Sequence, residues 1–195
     1  MNTRKTEITR KTNETDIRLA LDLDGSGEAE VSTGIGFLDH LVTALARHAG
    51  FDLTLQCRGD LQVDDHHTAE DCALVLGSAL NEILGDRSGI ARFGWAYAPL
   101  DEALARAVID LSGRPYPVVD LGLNRPAIGE LACENVGHFL SSFATTARCA
   151  LHVDVLRGQN DHHRAEAAFK ALALALKAAV FKIGDSVPST KGVLG

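Results

Sequence analysis

His66-His67-Thr68-Ala69-Glu70 and His162-His163-Arg164-Ala165-Glu166 are one five-residue pattern, HHxAE, written twice in the same chain. An acidic residue precedes each copy, Asp65 or Asp161, and each copy opens a long apolar-rich segment, residues 72–84 or 167–180. Further upstream stands another histidine at nearly the same distance: His40 lies 26 residues before His66, and His138 lies 24 before His162. Between the two histidines runs a stretch that alternates apolar and polar residues, 51–57 or 150–155. Period-two alternation marks a half-buried strand. The match reaches the front of each half, where Asp22-Leu23-Asp24-Gly25 recurs as Asp110-Leu111-Ser112-Gly113.

A repeat of this length predicts a duplicated structural unit. Each half reads strand, strand, helix, strand, helix. The first helix is expected over residues 37–48, with Phe37, Leu38, Leu41 and Leu45 on one stripe, and its counterpart over 130–148. Gly50 and Gly85 are expected helix stops. The fold class is therefore α+β, an internal duplication of a small sheet with two helices on one face. The expected units are 1–88, 89–183 and a polar tail, 184–195, whose Pro188-Ser189-Thr190-Lys191-Gly192 is rich in turn formers.

HHxxE is also a statement about metal chemistry. With the helix starting near the second histidine, His67 and Glu70 share a face, as do His163 and Glu166. The first histidine of each pair then points about 100° away, at 3.6 residues per turn. On that geometry each motif serves two ions, one through the first histidine and one through the second with the glutamate. Adding His40 and His138 gives six imidazoles and two carboxylates, enough for two ions with positions open to substrate. One HHxxE alone is as easily a solvated helix start; here six of the eight histidines fall into a repeated pattern, with His48 and His152 outside it. Nitrogen and oxygen donors without thiolate disfavour a structural zinc site and admit Zn, Fe, Mn or Ni. Asp64, Asp65, Asp71 and Asp161 read equally well as partners that orient the imidazoles or as charges at helix N-termini.

Composition narrows the partners. Net charge is −7, against a nucleic-acid or anionic-membrane partner that needs a basic surface. No apolar run approaches the roughly 18 to 20 residues of a membrane span, and the first residues lack a signal-peptide core. Cys57, Cys72, Cys133 and Cys149 form no CxxC pair and are expected as reduced, mostly buried thiols of a cytoplasmic protein.

Five strings in order resemble the imidazoleglycerol-phosphate dehydratase family of histidine biosynthesis. They are Gly36-Phe37-Leu38-Asp39-His40, Asp64 through Asp71, Asp110 through Pro115, Gly158 through Lys170, and Pro188 through Gly192. The resemblance covers essentially the whole chain, and the chain has the length of the dehydratase alone. It implies a duplicated unit like domain 2 of ribosomal protein S5 and two Mn2+ ions per site. The implied ligands are His40, His66, His67, Glu70, His138, His162, His163 and Glu166. It implies a homo-oligomeric 24-mer with active sites between subunits. The implied reaction is loss of water from a small phosphorylated imidazole, imidazole glycerol phosphate, through an imidazolate that the metals stabilise. Glu14 matches the family's catalytic glutamate, although the residues around it would not single it out. Arg92, Arg114, Lys170, Ser189 and Lys191 match its phosphate-binding positions, and the tail would close over the substrate. Leu41 stands where the family commonly has Met, and Ala44 where a Gln is often found. A di-metal hydrolase would use the same ions to activate water, but such sites lean on carboxylates. A metal-storing cage would leave the Arg and Lys set without a task.

Overall fold

A computed structural model describes residues 4–194. The first half runs β1 (Lys5–Lys11), β2 (Thr15–Asp22), β3 (Ala29–Ser32), α1 (Gly36–Ala49), β4 (Asp52–Gly59) and α2 (His66–Leu84). The second runs β5 (Phe93–Leu100), β6 (Ala103–Asp110), β7 (Tyr116–Asp120), the short β8 (Ala127–Ile128) and β9 (Leu131–Ala132), α3 (Cys133–Thr146), β10 (Ala150–Arg157) and α4 (Asp161–Ala179). Each half forms a four-stranded sheet of the same topology, β1-β2-β4-β3 and β5-β6-β10-β7. β3 pairs parallel with β4, and β7 with β10, so the helix between each pair serves as a crossover.

The duplication is therefore real, and the main sheet of each unit has one more strand than its sequence signals, while β8 and β9 are extra to the second unit. β3 alternates, with Ala29 and Val31 half-buried, but over only four residues, and β7 is almost wholly exposed and carries no alternation. Residues 130–132, read as the start of a helix, instead form β9 and its approach; β9 pairs with β8.

Alternation explains the sheets' inner faces. In β2, Ile17, Leu19 and Leu21 point inward, and in β6 Ala105, Ala107 and Ile109 do. Phe37, Leu38, Leu41 and Leu45 of α1 are buried as their spacing requires, and Gly50 ends the helix at φ 78°. α1 packs on α4 and α2 on α3, so the helices of one half rest on those of the other. One continuous core joins the two units. Close approach depends on small residues. A Cβ on Gly77 of α2 would lie 2.4 Å from the Phe143 carbonyl oxygen of α3, and one on Gly94 of β5 would lie 1.9 Å from that of Ala175 in α4. All four cysteines are free; three are buried and Cys57 is half-buried. None of the described helices is long and apolar enough to cross a membrane.

Candidate metal centres

The cross-packing of helices brings ligands of the two halves together. His40 of α1 meets His162 and Glu166 of α4, and His138 of α3 meets His66 and Glu70 of α2. In each trio, two imidazole nitrogens and a carboxylate oxygen lie within 4.8 Å of one another. His40 Nε2 is 2.9 Å and His162 Nε2 3.2 Å from Glu166 Oε2; His138 Nε2 is 3.1 Å from Glu70 Oε1. Phe37 packs against His162 at 4.9 Å between ring centroids. Among the described residues these are the two clusters dense enough in donors to hold an ion.

The grouping differs from the sequence expectation. Glu70 and Glu166 side with the first histidine of each motif, not the second. The reason is where the helices begin: α2 starts at His66 and α4 at Asp161. That places His66 and Glu70, and His162 and Glu166, four apart on one helical face. His67 and His163 point elsewhere. The His66 and His67 rings are nearly perpendicular, as are those of His162 and His163.

Each outlying histidine is held through Nδ1. Asp60 lies 3.1 Å from His67 Nδ1, and Glu102 lies 2.7 Å from His163 Nδ1. A carboxylate there favours the Nδ1–H tautomer and leaves Nε2 with its lone pair outward, as a metal ligand needs. These contacts, with Asp60 and Glu102 as the leading causes, raise the pKa of His67 and of His163. Glu102 is itself fixed by the N–H groups of Asn160 and Gln159; these and His163 hold its carboxyl at about 2. Burial opposes ionisation of Glu166, yet Lys170 and His40 draw it down to about 2. Asn135 Oδ1, 3.0 Å from His66 Nδ1, orients that ring in turn.

Asp60, Glu102 and Asn135 were not legible as site residues. Glu102 had one available signal: it occupies the repeat position of Glu14. The aspartates considered for the orienting role do other work. Asp64 accepts from the His66 N–H at the helix entrance. Asp65 accepts from Ala132 N–H, and Asp161 from Asn124 and Arg125 N–H, so both anchor loops. Asp71 is buried against Thr15 and Arg10.

Two sets of N2O donors with no thiolate fit a divalent first-row ion, and three protein ligands leave room for further ones. The model of the imidazoleglycerol-phosphate dehydratase family matches residues 33–176. This chain belongs to that family. With it, the chain is a hydro-lyase. It is 56% identical to imidazoleglycerol-phosphate dehydratase of Candida glabrata, over 96% of this chain and 98% of the relative, and 52% identical to that of Saccharomyces cerevisiae, over the full length of both. A Phytophthora nicotianae relative is 60% identical over 98% of this chain, which spans 42% of that longer protein. Among solved structures, the dehydratase of Pyrococcus furiosus superposes with a TM-score of 0.82 at 38% identity, covering 96% of this chain and all of the other. That of Staphylococcus aureus gives 0.83 at 35% identity, covering 92% and 99%.

The remaining residues suggested by the dehydratase resemblance lie in four places. Glu14, exposed at the turn before β2, has its carboxylate 3.7 Å from His67 Nε2. Lys170 reaches Glu166 at 2.7 Å, beside the first cluster. Arg92 forms a two-pronged pair with Asp110 at 2.7 and 3.0 Å and donates to the Pro188 carbonyl at 2.9 Å, tying the tail to the start of the second half. Next along the tail, Ser189 Oγ accepts from Lys191 N–H. The Arg114 side chain is exposed. Leu41 is fully buried, as a packing replacement for Met requires, and Ala44 is half-buried one turn beyond His40.

Proposed function

We propose that this chain dehydrates imidazole glycerol phosphate to imidazole acetol phosphate in histidine biosynthesis, in the cytoplasm, with two Mn2+ ions per active site. The observation that carries the reading is the pair of His-His-Glu clusters in a chain of the dehydratase family. The eight ligands are His40, His162 and Glu166, His66, Glu70 and His138, and the two outlying histidines. When bound, the ions supply Lewis-acid stabilisation to negative charge on the substrate's imidazole ring.

The residues then have distinct tasks. The hydroxyl to be lost stands on the carbon beside the imidazole, and the C–H bond to be broken is on the next carbon with no carbonyl beside it, so its proton needs a positioned base. Glu14 is suited: it is exposed, it is not in either cluster, and it faces His67. It takes the proton from the middle carbon of the glycerol chain, and the C–O bond on the ring-side carbon breaks, its hydroxyl leaving as water with a proton; the enol left with its hydroxyl on the middle carbon then tautomerises to the ketone. Lys170 meets the substrate's phosphate as a point charge, and Arg92, Arg114, Ser189 and Lys191 complete its binding.

His67 and His163 lie outside the clusters of their own chain with Nε2 directed outward. This supports a homo-oligomer, the 24-mer of the family resemblance, in which these histidines complete clusters of neighbouring subunits. The test is incubation of the Mn-loaded protein with imidazole glycerol phosphate, following the keto product. Product is expected only with metal present. A folded, metal-loaded protein that forms none refutes the reading; one that instead releases inorganic phosphate is a hydrolase.

A further inference from the structure

Asp71 is a buried carboxylate that no metal cluster uses. Its Oδ2 accepts from Thr15 Oγ at 2.5 Å and pairs with the Arg10 guanidinium. Thr15 Oγ lies 3.3 Å from Thr12 Oγ, and Thr12 Oγ accepts from the backbone N–H groups of Glu14 at 3.1 Å and Thr15 at 3.0 Å. Thr12 N–H closes the turn on the Thr15 carbonyl at 2.9 Å. An ionised Asp71 accepts only, so Thr15 donates to it and Thr12 donates to Thr15. A chain of polar contacts thus runs from the core of α2 to the backbone of Glu14.

The molecule contains its own control. Strand register aligns Arg10 with Ala98, Thr12 with Leu100 and Thr15 with Ala103, and the HHxAE motif aligns Asp71 with Ala167. The three alanines are buried, at 4%, 1% and 0% exposure. The equivalent β5–β6–α4 layer, in which the helix lies closer on its strands at Gly94, is built without a single one of these polar groups. A buried ion pair is seldom required for stability where apolar packing serves. The halves differ in what the turn must do. In the second half Glu102, at the position of Glu14, is fastened to two backbone N–H groups and His163. In the first half the Glu14 carboxylate has no such fastening, and the turn beneath it is held instead.

We propose that Asp71, acting with Arg10 through Thr15 and Thr12, is a positioning residue that fixes the Glu14 backbone so that its carboxylate faces His67. The assignment rests on Glu14 being the proton shuttle, and the experiment separates the two. Arg10→Ala, Thr15→Ala and Asp71→Ala are combined in the Mn-loaded protein, giving the first half the three alanines of the second. Thr15→Val, which keeps shape and removes the hydroxyl, is made alone, with Thr15→Ser as its rescue. Amide hydrogen exchange at Glu14 and Thr15 is expected to accelerate at least about tenfold in the triple and valine variants, independent of any activity, as local opening becomes easier. kcat is expected to fall at least about tenfold, the scale of lost proton transfer, with KM and Mn content within about twofold. Thr15→Ser restores most of kcat. In a Glu14→Gln background Asp71→Ala should cost nothing further. Unchanged exchange overturns the proposal. So does an unchanged kcat, a loss of Mn in proportion to kcat, or an equal loss from Asp71→Ala with Glu14 already replaced. If the triple variant does not fold, Thr15→Val decides by the same readouts. If the parent enzyme shows no dehydration, the functional reading fails and the exchange result still decides whether the network holds the turn.

Discussion

Replacing Glu102 with Gln tests whether the imidazole orientation seen at His163 matters for metal binding. Glu102 Oε1 accepts from Asn160 N–H at 2.9 Å and Gln159 N–H at 3.1 Å, while Oε2 faces His163 Nδ1 at 2.7 Å. All three partners are donors when His163 carries its proton on Nδ1. An amide has one acceptor oxygen and one donor nitrogen. Whichever way the Gln side chain turns, its NH2 group meets a donor. With the oxygen kept on the backbone, NH2 faces Nδ1, and the ring responds by moving its proton to Nε2, where it blocks the metal. The loss should sit at the upper end of the usual 10- to 100-fold for an orienting partner, about 2 to 3 kcal/mol. Glu102→Ala removes the preference without imposing the wrong tautomer and should cost about tenfold. Asp60→Asn provides the contrast: both Asp60 oxygens lie near His67 Nδ1, at 3.3 and 3.1 Å, so the amide oxygen can keep the contact and the loss should be under about tenfold. Mn2+ affinity by competition with a chromogenic chelator ranks the three. Equal affinity in Glu102→Gln and the parent, or a larger loss in Asp60→Asn, refutes the reasoning.

Glu14→Gln should retain Mn content and lower kcat by about 10²- to 10⁴-fold, the range of general acid–base catalysis, read by product assay on metal-quantified protein. Gly77→Ala places a methyl 2.4 Å from the Phe143 carbonyl oxygen and 2.8 Å from Ala147 N. It should cost about 1 to 3 kcal/mol in urea unfolding and weaken Mn binding, because α2 and α3 carry His66, Glu70 and His138. Asp161 is buried, and although burial opposes its charge, the N–H groups of Arg125 and Asn124 and the Arg164 side chain lower its pKa. Asp161→Asn should destabilise by about 1 to 3 kcal/mol at neutral pH. Because the folded pKa is the depressed one, the parent's advantage is complete above the ordinary carboxylate range and disappears as pH falls through the folded value. Parallel urea titrations from neutral to acid pH should show the two proteins converging.

The doubled HHxAE motif made the repeat, the strand positions and the donor residues of the two clusters legible, because all three are local periodicities. β2, β4, β6 and β10 bury alternate residues and so carry their signature in the chain. β3 and β7 do not, since a four-residue strand and an exposed one leave little pattern. The ligand grouping was missed for a related reason. Moving the helix start by one residue changes which histidine shares a face with the glutamate, and helix boundaries are the least legible feature of a sequence. Two of the three orienting residues were hidden by distance: Asn135 lies 69 residues from His66, and Glu102 lies 61 from His163. Only tertiary packing relates them. Glu14 had no local signal at all, being a charged residue before a strand, and family resemblance alone singled it out.

The same duplication explains why the two halves match in their ligands but not beside them. An imidazole ligand needs one of its nitrogens outward and the other held, and it does not matter which residue does the holding. In the second half the glutamate at the turn does so, bridging to His163. In the first half Asp60, at the end of the β4 connection, already holds His67. The turn glutamate of the first half is thereby released from the orienting role. Its carboxylate stays half in solvent, 3.7 Å from the outward nitrogen of the ring that its counterpart would have clamped. Glu102 held at about 2 is a poor proton acceptor near neutral pH, because a base that is too weak abstracts nothing. On the proposed function, a duplicated chain thus supplies matched metal ligands from both units and a mobile proton from one, because a different residue takes over the histidine in that one. Transplanting an aspartate equivalent to Asp60 into the second half, while leaving Glu102 in place, should not create a second shuttle, since the N–H groups of Gln159 and Asn160 would still claim its carboxylate.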